Sequence, residues 1–476
     1  MLYIDGQWTK SQSGEQLDVT NPATGDVIQQ VAKGGAEDSA RAIDAADRSF
    51  AAWKKLTAKE RGAYLVKAAD ILKEQADELA ETVTKEMGKP LNESKGEVNL
   101  AIDYLYWYAE EAKRVYGETI PASHPSKRLH VFKEPVGVTA AVTPWNFPVA
   151  MITRKIAPAL AAGCPVVVKP ASATPLSAIK VFEAFHDAGL PEGVANLVIG
   201  SASSVVGEMT KSSKVKKITF TGSTEVGKKL IRDSADTVKK VSMELGGHAP
   251  FVVFEDADID LAVEGVVGSK FRNAGQTCIC TNRIYVQDTI AEEFSKRFVE
   301  KVQALSIGNG LDDGVEIGPL IDGGAVEKVE EQIKDATEKG AVVLCGGQRV
   351  SRAGEQGGSF FEPTVLGNAT DEMVITKEET FGPVAPIYTF SSEEEAIERA
   401  NHPEYGLAAY AFTRDISRSY RLMEGLEYGI IGLNDPIPTT AQAPFGGMKE
   451  SGTGREGGRQ GIEEYLEAKF VSIGNI

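Results

Sequence analysis

Cysteine and histidine are scarce in this chain, with four of the former and five of the latter among 476 residues. Four cysteines in so long a chain suit a reducing compartment, and no metal site is expected. No apolar run approaches the ~18 residues of a membrane span, and no basic-then-apolar leader opens the sequence. A soluble, cytoplasmic protein is expected. Positive charge is also short: 51 Lys and Arg against 68 Asp and Glu leave −17 at pH 7. That balance disfavours nucleic acid or an anionic membrane as a partner. An anionic small substrate must then be met by locally placed arginines.

With 42% hydrophobic content, the chain exceeds one usual domain and can bury large cores. Residues 1–22 carry strand-like pieces and the turn Asn21-Pro-Ala-Thr-Gly25, after which Ser39 to Gly117 reads as mostly helical. Leu65, Ala68, Ala69, Leu72, Ala76 and Leu79 share one helical face, as in a helix packed on something larger. Arg128 to Val138 is extended and rich in Val, Phe and Lys, which suits an arm or edge strand. From Val136 short apolar strands alternate with helices, the pattern of a parallel α/β sheet. Strands are expected at 136–142, 166–168, 195–199 and 217–221. Between the second and third, Thr174 is placed to cap a helix, Pro175 suits its first turn, and Gly189 and Pro191 end it. A second β/α series starts at residues 250–254 and runs to about Asn434, with helices near 291–305, 325–339 and 415–426. Gly446-Gly447 and the stretch from Gly452 to Gly461 read as loop, and Lys469 to Ile473 as a last strand.

Reactive groups concentrate in Ser269-Lys-Phe-Arg-Asn-Ala-Gly-Gln-Thr-Cys-Ile-Cys280. Leu261, Ala262, Val263, Val266 and Val267 have helical periodicity that Gly275 breaks, so Cys278 falls on a turn where its thiol can face a cleft. A free thiol titrates near ~8.5, so this nucleophile candidate needs a base or a positive field. Ligands of parallel sheets sit at the carboxyl ends of the strands. That rule selects Thr143-Pro-Trp-Asn146, Lys169-Pro-Ala-Ser172 and Thr221-Gly-Ser-Thr-Glu-Val-Gly227 as one converging surface. Gly222 and Gly227 lack the G-x-G-x-x-G spacing, but their turn follows a strand and opens a helix, so backbone N–H groups can face a phosphate. Lys169 supplies a cation or donor for a ribose or phosphate. Glu244, in Ser242-Met-Glu-Leu-Gly-Gly-His248, precedes two glycines that let backbone approach a ligand, and is a candidate general base.

Four motifs occur together and in order: Pro144-Trp-Asn146, Glu244-Leu-Gly-Gly, Gly-Gln-Thr-Cys278 and Glu379-Thr-Phe-Gly-Pro383. In this the chain resembles the aldehyde dehydrogenase superfamily, over nearly its whole length. The resemblance implies an oxidoreductase in which the Cys278 thiolate attacks an aldehyde, hydride leaves for a nicotinamide, and water hydrolyses the thioester. It implies Glu244 as the base for the thiol, the water or both, and Asn146 with the Cys278 N–H as an oxyanion hole. Trp145, Lys169, Gly222 and Ser223, with Asn146, Pro170, Ala171 and Ser172 beside them, resemble the cofactor's adenosine and pyrophosphate contacts. Leu245, Glu379 and Phe381 resemble those near its nicotinamide. Ser172 stands where many NAD-preferring members carry a glutamate. A glutamate would repel a 2′-phosphate, whereas serine can donate to it with Lys169 close by, so NADP is favoured and NAD is the alternative.

Arg154 and Arg272 adjoin the oxyanion and nucleophile motifs, and the pair resembles the succinate-semialdehyde dehydrogenase branch, where both arginines bind the substrate carboxylate. A serine associated with that site corresponds here to Thr439, and the loop Asn434-Asp-Pro-Ile-Pro-Thr-Thr440 carries two prolines that the best-known members lack. Succinate semialdehyde is the favoured small anionic substrate, with glutarate semialdehyde or a broader aldehyde range as alternatives. Cys280 resembles a second cysteine that in some members forms a reversible disulfide with the nucleophile. A Cys-dependent hydrolase is the competing class, for which only His248 adjoins a motif. The implied architecture is two Rossmann-like α/β domains and an extended β oligomerisation arm. Residues 1–119 and 141–246 form the cofactor-binding domain, 247–442 the catalytic domain, and 120–140 with 456–476 the arm. Such an arm implies a homodimer or homotetramer.

Overall fold

The computed structural model describes residues 1–350 and 357–475. Two largely parallel sheets carry the two β/α series. In the first, Ala195–Leu197, Val166–Lys169, Val138–Val142, Val215–Thr221 and Lys240–Glu244 lie side by side and parallel, in that order. The hairpin Leu2–Ile4 and Gln7–Thr9 extends one edge, antiparallel. Chain order runs outward in one direction from Val138–Val142 to Ala195–Leu197, then resumes on its other side at Val215–Thr221. The crevice between Val138–Val142 and Val215–Thr221 is therefore a topological switch point, where such sheets bind ligands. The strand expected at 136–142 begins two residues later, because Gly137 adopts a left-handed φ of 123° that interrupts extended backbone.

The second sheet orders Val342–Cys345, Thr364–Gly367, Val384–Phe390, Thr281–Gln287, Ala249–Val253, Ala408–Phe412 and Ile430–Leu433, parallel apart from its first pair. Helices Ala291–Gln303, Gly323–Glu338 and Ile416–Gly425 flank it, near the expected positions. Each sheet buries its own apolar cluster. A third, antiparallel sheet joins Glu118–Ile120, Lys127–Pro135 and Leu466–Gly474, and leaves Phe132, Phe470 and Ile473 exposed.

Three local expectations are corrected. The apolar face from Leu65 to Leu79 belongs to two helices, Ala58–Glu74 and Ala76–Met87, because Gln75 leaves helical geometry with φ −101° and ψ 11°. Thr174 does not cap helix Pro175–Asp187 through its side chain. The buried Glu86 carboxylate does so from another helix, accepting from the N–H groups of Leu176 at 2.7 Å and Ser177 at 2.9 Å. Finally, the glycine-rich stretch is not all loop. Gly452–Thr453 adds an antiparallel strand beside Met243 and Glu244, and Gly458–Glu463 is a short helix.

Candidate active site

Helix Ile259–Phe271 ends where Asn273 and Ala274 turn left-handed, at φ 54° and 53°, and the chain reverses into the turn that carries Cys278. Hydrogen bonds fix this reversal. The Asn273 N–H donates to Glu93 Oε2 at 2.7 Å, and the Asn273 amide donates to the carbonyls of Asn146 and Gln276, each at 3.2 Å. Gly247 comes up behind the turn so closely that a Cβ there would lie 2.3 Å from the Cys278 carbonyl oxygen. Only glycine permits that approach. The thiol of Cys278 is pushed up to about 12, mainly by burial, with Arg154 opposing and Glu244 reinforcing the shift. A thiol held protonated needs a base when it attacks.

Two cavities meet at Cys278. The larger, about 320 Å³, opens at the switch point and is lined by Trp145, Asn146, Gly222, Ser223, Glu379 and Phe381, with Leu245 also at its wall. Trp145 and Phe381 meet edge to face at 5.5 Å across it, and Phe381 holds a left-handed φ of 52°. Ser223 caps helix Thr224–Ser234 at the mouth, so the helix N-terminus faces the cleft. Glu379 accepts from the Gly247 N–H at 3.2 Å, and burial raises its carboxyl to about 7. Lys328, absent from the sequence reading, also lines this cleft and donates to the Glu379 carbonyl at 2.6 Å. The smaller cavity, about 30 Å³, brings together Arg154, Arg272 and Thr439 from three distant segments.

Beneath both lies a buried charge cluster. Arg154 Nε is 2.5 Å from Glu456 Oε2, and Lys155 binds the other oxygen of Glu456 as well as the Thr221 hydroxyl at 2.7 Å. Burial would raise Glu456, but Lys155 and Arg154 outweigh it and hold its carboxyl low. Glu244 is nearly inaccessible and neither of its carboxylate oxygens has a hydrogen-bond partner among the described residues. Burial and the nearby charge of Glu456 raise its carboxyl to about 8. Arg272, by contrast, has no ion pair among the described residues and stacks 5.2 Å from the Phe147 ring.

A thiol with an unpartnered carboxylate and an amide around a cleft at a sheet switch point suits covalent chemistry on a carbonyl beside a dinucleotide. The aldehyde dehydrogenase family model matches residues 8–471. The chain belongs to the aldehyde dehydrogenase family. It is 55% identical over 471 residues to the NADP(+) succinate-semialdehyde dehydrogenase of Escherichia coli K12, covering 99% of this chain and 97% of that protein. A glutarate-semialdehyde dehydrogenase of Pseudomonas putida is 54% identical over 471 residues, with the same coverage of 99% and 97%. A crystal structure of an NADP-dependent E. coli enzyme superposes with a TM-score of 0.98 at 54% identity, covering 100% of this chain and 98% of that one.

The residues of this aldehyde dehydrogenase suit a dinucleotide. Lys169 ends strand Val166–Lys169 outside the 320 Å³ cleft, buried and without an ion pair among the described residues, and burial lowers its ammonium to about 8. A buried, uncompensated cation invites an anionic ligand. Ser172 lies in the following turn and donates to the Gly200 carbonyl at 3.2 Å, so holding a phosphate would require its hydroxyl to rotate. His248 is buried with Nε2 2.8 Å from the Thr376 carbonyl oxygen, and burial keeps the ring neutral. It makes no hydrogen bond to Cys278 among the described residues, which leaves a Cys-His hydrolase without its pair. Cys280 is buried apart from the cavities, its sulfur 3.4 Å from Lys270 Nζ. A disulfide to Cys278 would first have to break that contact.

Asn146 is braced by a buried hydrogen-bond network. Its carbonyl accepts from Lys89 Nζ at 2.7 Å, and Lys89 is itself paired with Glu97 at 2.6 Å inside the protein. The other Glu97 oxygen accepts from the N–H groups of Val149 and Ala150, at the start of the helix that bears Arg154 and Lys155. One amide N–H of Asn146 donates to the Gln276 carbonyl at 3.1 Å, which leaves the second N–H for a ligand. Asn146→Ala is therefore expected to lower kcat by about a hundredfold or more while the Kd for cofactor is unchanged. Steady-state rates with cofactor titration by fluorescence check this.

Proposed function

We propose that the protein oxidises a short aldehyde bearing a terminal carboxylate, with succinate semialdehyde as the best substrate and NADP as acceptor. One observation carries the reading: the cavity at Cys278 opposite the dinucleotide cleft is lined by a guanidinium, Arg272, that makes no ion pair among the described residues, Glu93 acting on it only from beyond contact distance. A half-buried cation of this kind, facing a cavity, is stabilised by a substrate anion. The naming of the E. coli relative as an NADP(+) succinate-semialdehyde dehydrogenase supports the choice.

Glu244, ionised, takes the thiol proton as Cys278 adds to the aldehyde carbon, and later releases it to solvent. The negative oxygen that forms is held by the Asn146 amide and the Cys278 N–H, and loss of hydride from the adduct carbon leaves the thioester on Cys278. Trp145, Lys169, Ser172, Gly222, Ser223, Glu379 and Phe381 would hold the cofactor, which would supply the hydride acceptor. Glu244, ionised, takes a proton from the water that hydrolyses the thioester. Arg154 spends much of its charge on Glu456, so Arg272 is the principal anchor for the substrate carboxylate and Thr439 an auxiliary donor. Exposed Phe132, Phe470 and Ile473 on the third sheet support pairing with further copies of the chain, and no described helix is long and apolar enough to cross a membrane.

The test is a kinetic panel of succinate semialdehyde, glutarate semialdehyde and butanal with NADP and NAD, followed at 340 nm. The highest kcat/KM is expected for succinate semialdehyde with NADP. Highest efficiency with butanal would sink the anionic reading. Ser172→Glu is expected to shift the NADP-to-NAD ratio of kcat/KM toward NAD by at least about tenfold, since it sets a carboxylate against a 2′-phosphate. An unchanged ratio would place the 2′-phosphate elsewhere.

A further inference from the structure

The small cavity contains a polar group that neither the motifs nor the mechanism uses. Helix Leu91–Glu111 presents Leu100 and, one turn later, Tyr104 to its wall. Tyr104 is wholly buried, and although the Arg154 guanidinium beside it can donate to its oxygen, its own O–H proton finds no acceptor among the described residues. Leaving a phenol O–H donor dry and without an acceptor costs stability, so such a group points to an absent acceptor ligand when it borders a cavity. The Thr439 hydroxyl on the same wall is unpaired as well. Tyr108, one turn further along the helix, is also buried and unpaired, but it abuts Gly461. Bordering the cavity is what distinguishes Tyr104.

The charges and donors around the cavity define what fits. Arg154 is matched by Glu456, which leaves the Arg272 guanidinium as the unmatched charge among the lining residues. One net positive charge flanked by two neutral hydroxyls suits a monoanion with several acceptor lone pairs. A carboxylate has about four acceptor sites, more than one guanidinium edge fills. We infer that Tyr104 is a specificity-determining residue whose hydroxyl donates to the substrate carboxylate beside Arg272 and Thr439. The inference rests on the anionic-substrate reading above.

The experiment compares wild type and Tyr104→Phe with succinate semialdehyde and with butanal, which has the same carbon count and no carboxylate. A hydrogen bond to a charged group is worth about tenfold or more in affinity. Tyr104→Phe is expected to lower the succinate semialdehyde-to-butanal ratio of kcat/KM by about tenfold or more, chiefly by raising KM for the carboxylated substrate. Either an unchanged ratio or a parallel fall with both aldehydes would overturn the assignment, since a packing role predicts the latter. If wild type does not prefer succinate semialdehyde to butanal, the anionic reading fails and the Tyr104 assignment falls with it. A wild-type preference that Tyr104→Phe retains overturns the Tyr104 assignment alone.

Discussion

Glu244→Gln is expected to lower kcat by about a hundred- to ten-thousandfold, the range lost with a general base. It should also flatten the alkaline rise of the wild-type pH profile. Glu244 is raised to about 8 by burial and by the nearby charge of Glu456. The sign follows directly: near pH 7 the carboxyl is mostly protonated and cannot accept a proton, and it ionises as pH climbs through 8. Wild-type kcat should therefore rise between about pH 7 and 9. Glutamine keeps the shape of the side chain and cannot ionise, so the residual rate should lose that limb. If Glu244→Gln retained the same rising profile, the titrating base would be another group. Glu379, raised to about 7, would be the next to examine.

The second large effect is expected at the arginines, and it should divide them. Arg272→Ala removes the half-buried guanidinium that has no ion pair, and truncating one partner of a charge pair that bound substrate would bury costs about 2–5 kcal/mol. The kcat/KM for succinate semialdehyde should fall by about thirtyfold or more relative to that for butanal, read mostly in KM. Arg154→Ala should behave differently. Arg154 and Lys155 share Glu456, and Arg154 also lies over the Phe445 ring at 4.2 Å. Its loss leaves a buried carboxylate with one partner, so both substrates should suffer and thermal stability should drop. Equal specificity losses in the two variants would show that both guanidiniums hold the substrate.

Much of this was legible because it is local. Strand-to-helix alternation after Val136 is a period change visible within a window of a few residues, and the motifs around Asn146, Glu244, Cys278 and Glu379 each sit at the end of such a segment. What escaped is what depends on distant pairing. Glu456 lies in a glycine-rich run that reads as loop, and nothing local shows that it meets Arg154 and Lys155 on another helix. Glu86 replaces Thr174 as the cap of helix Pro175–Asp187 because a carboxylate from a different helix reaches the orphan N–H groups. Propensity rules weigh only neighbours in sequence. Lys89, just before helix Leu91–Glu111, and Glu93 and Glu97 within it look like ordinary surface charges. They are buried or half-buried, and they fix Asn273, Asn146 and the start of helix Ala150–Ala162. Gln75 carries no breaker signal, which is why one helical face was read where two helices share it.

The central claim is that Cys278 carries the acyl group of a carboxylated aldehyde during turnover. The most direct measurement is to quench wild-type enzyme with acid while it turns over succinate semialdehyde with NADP, then to map the modified peptide by mass spectrometry. A succinyl group on Cys278 is expected, labile to hydroxylamine as a thioester is, and absent when NADP is omitted. Turnover with no adduct on Cys278, or a succinyl group on any other side chain, would contradict it.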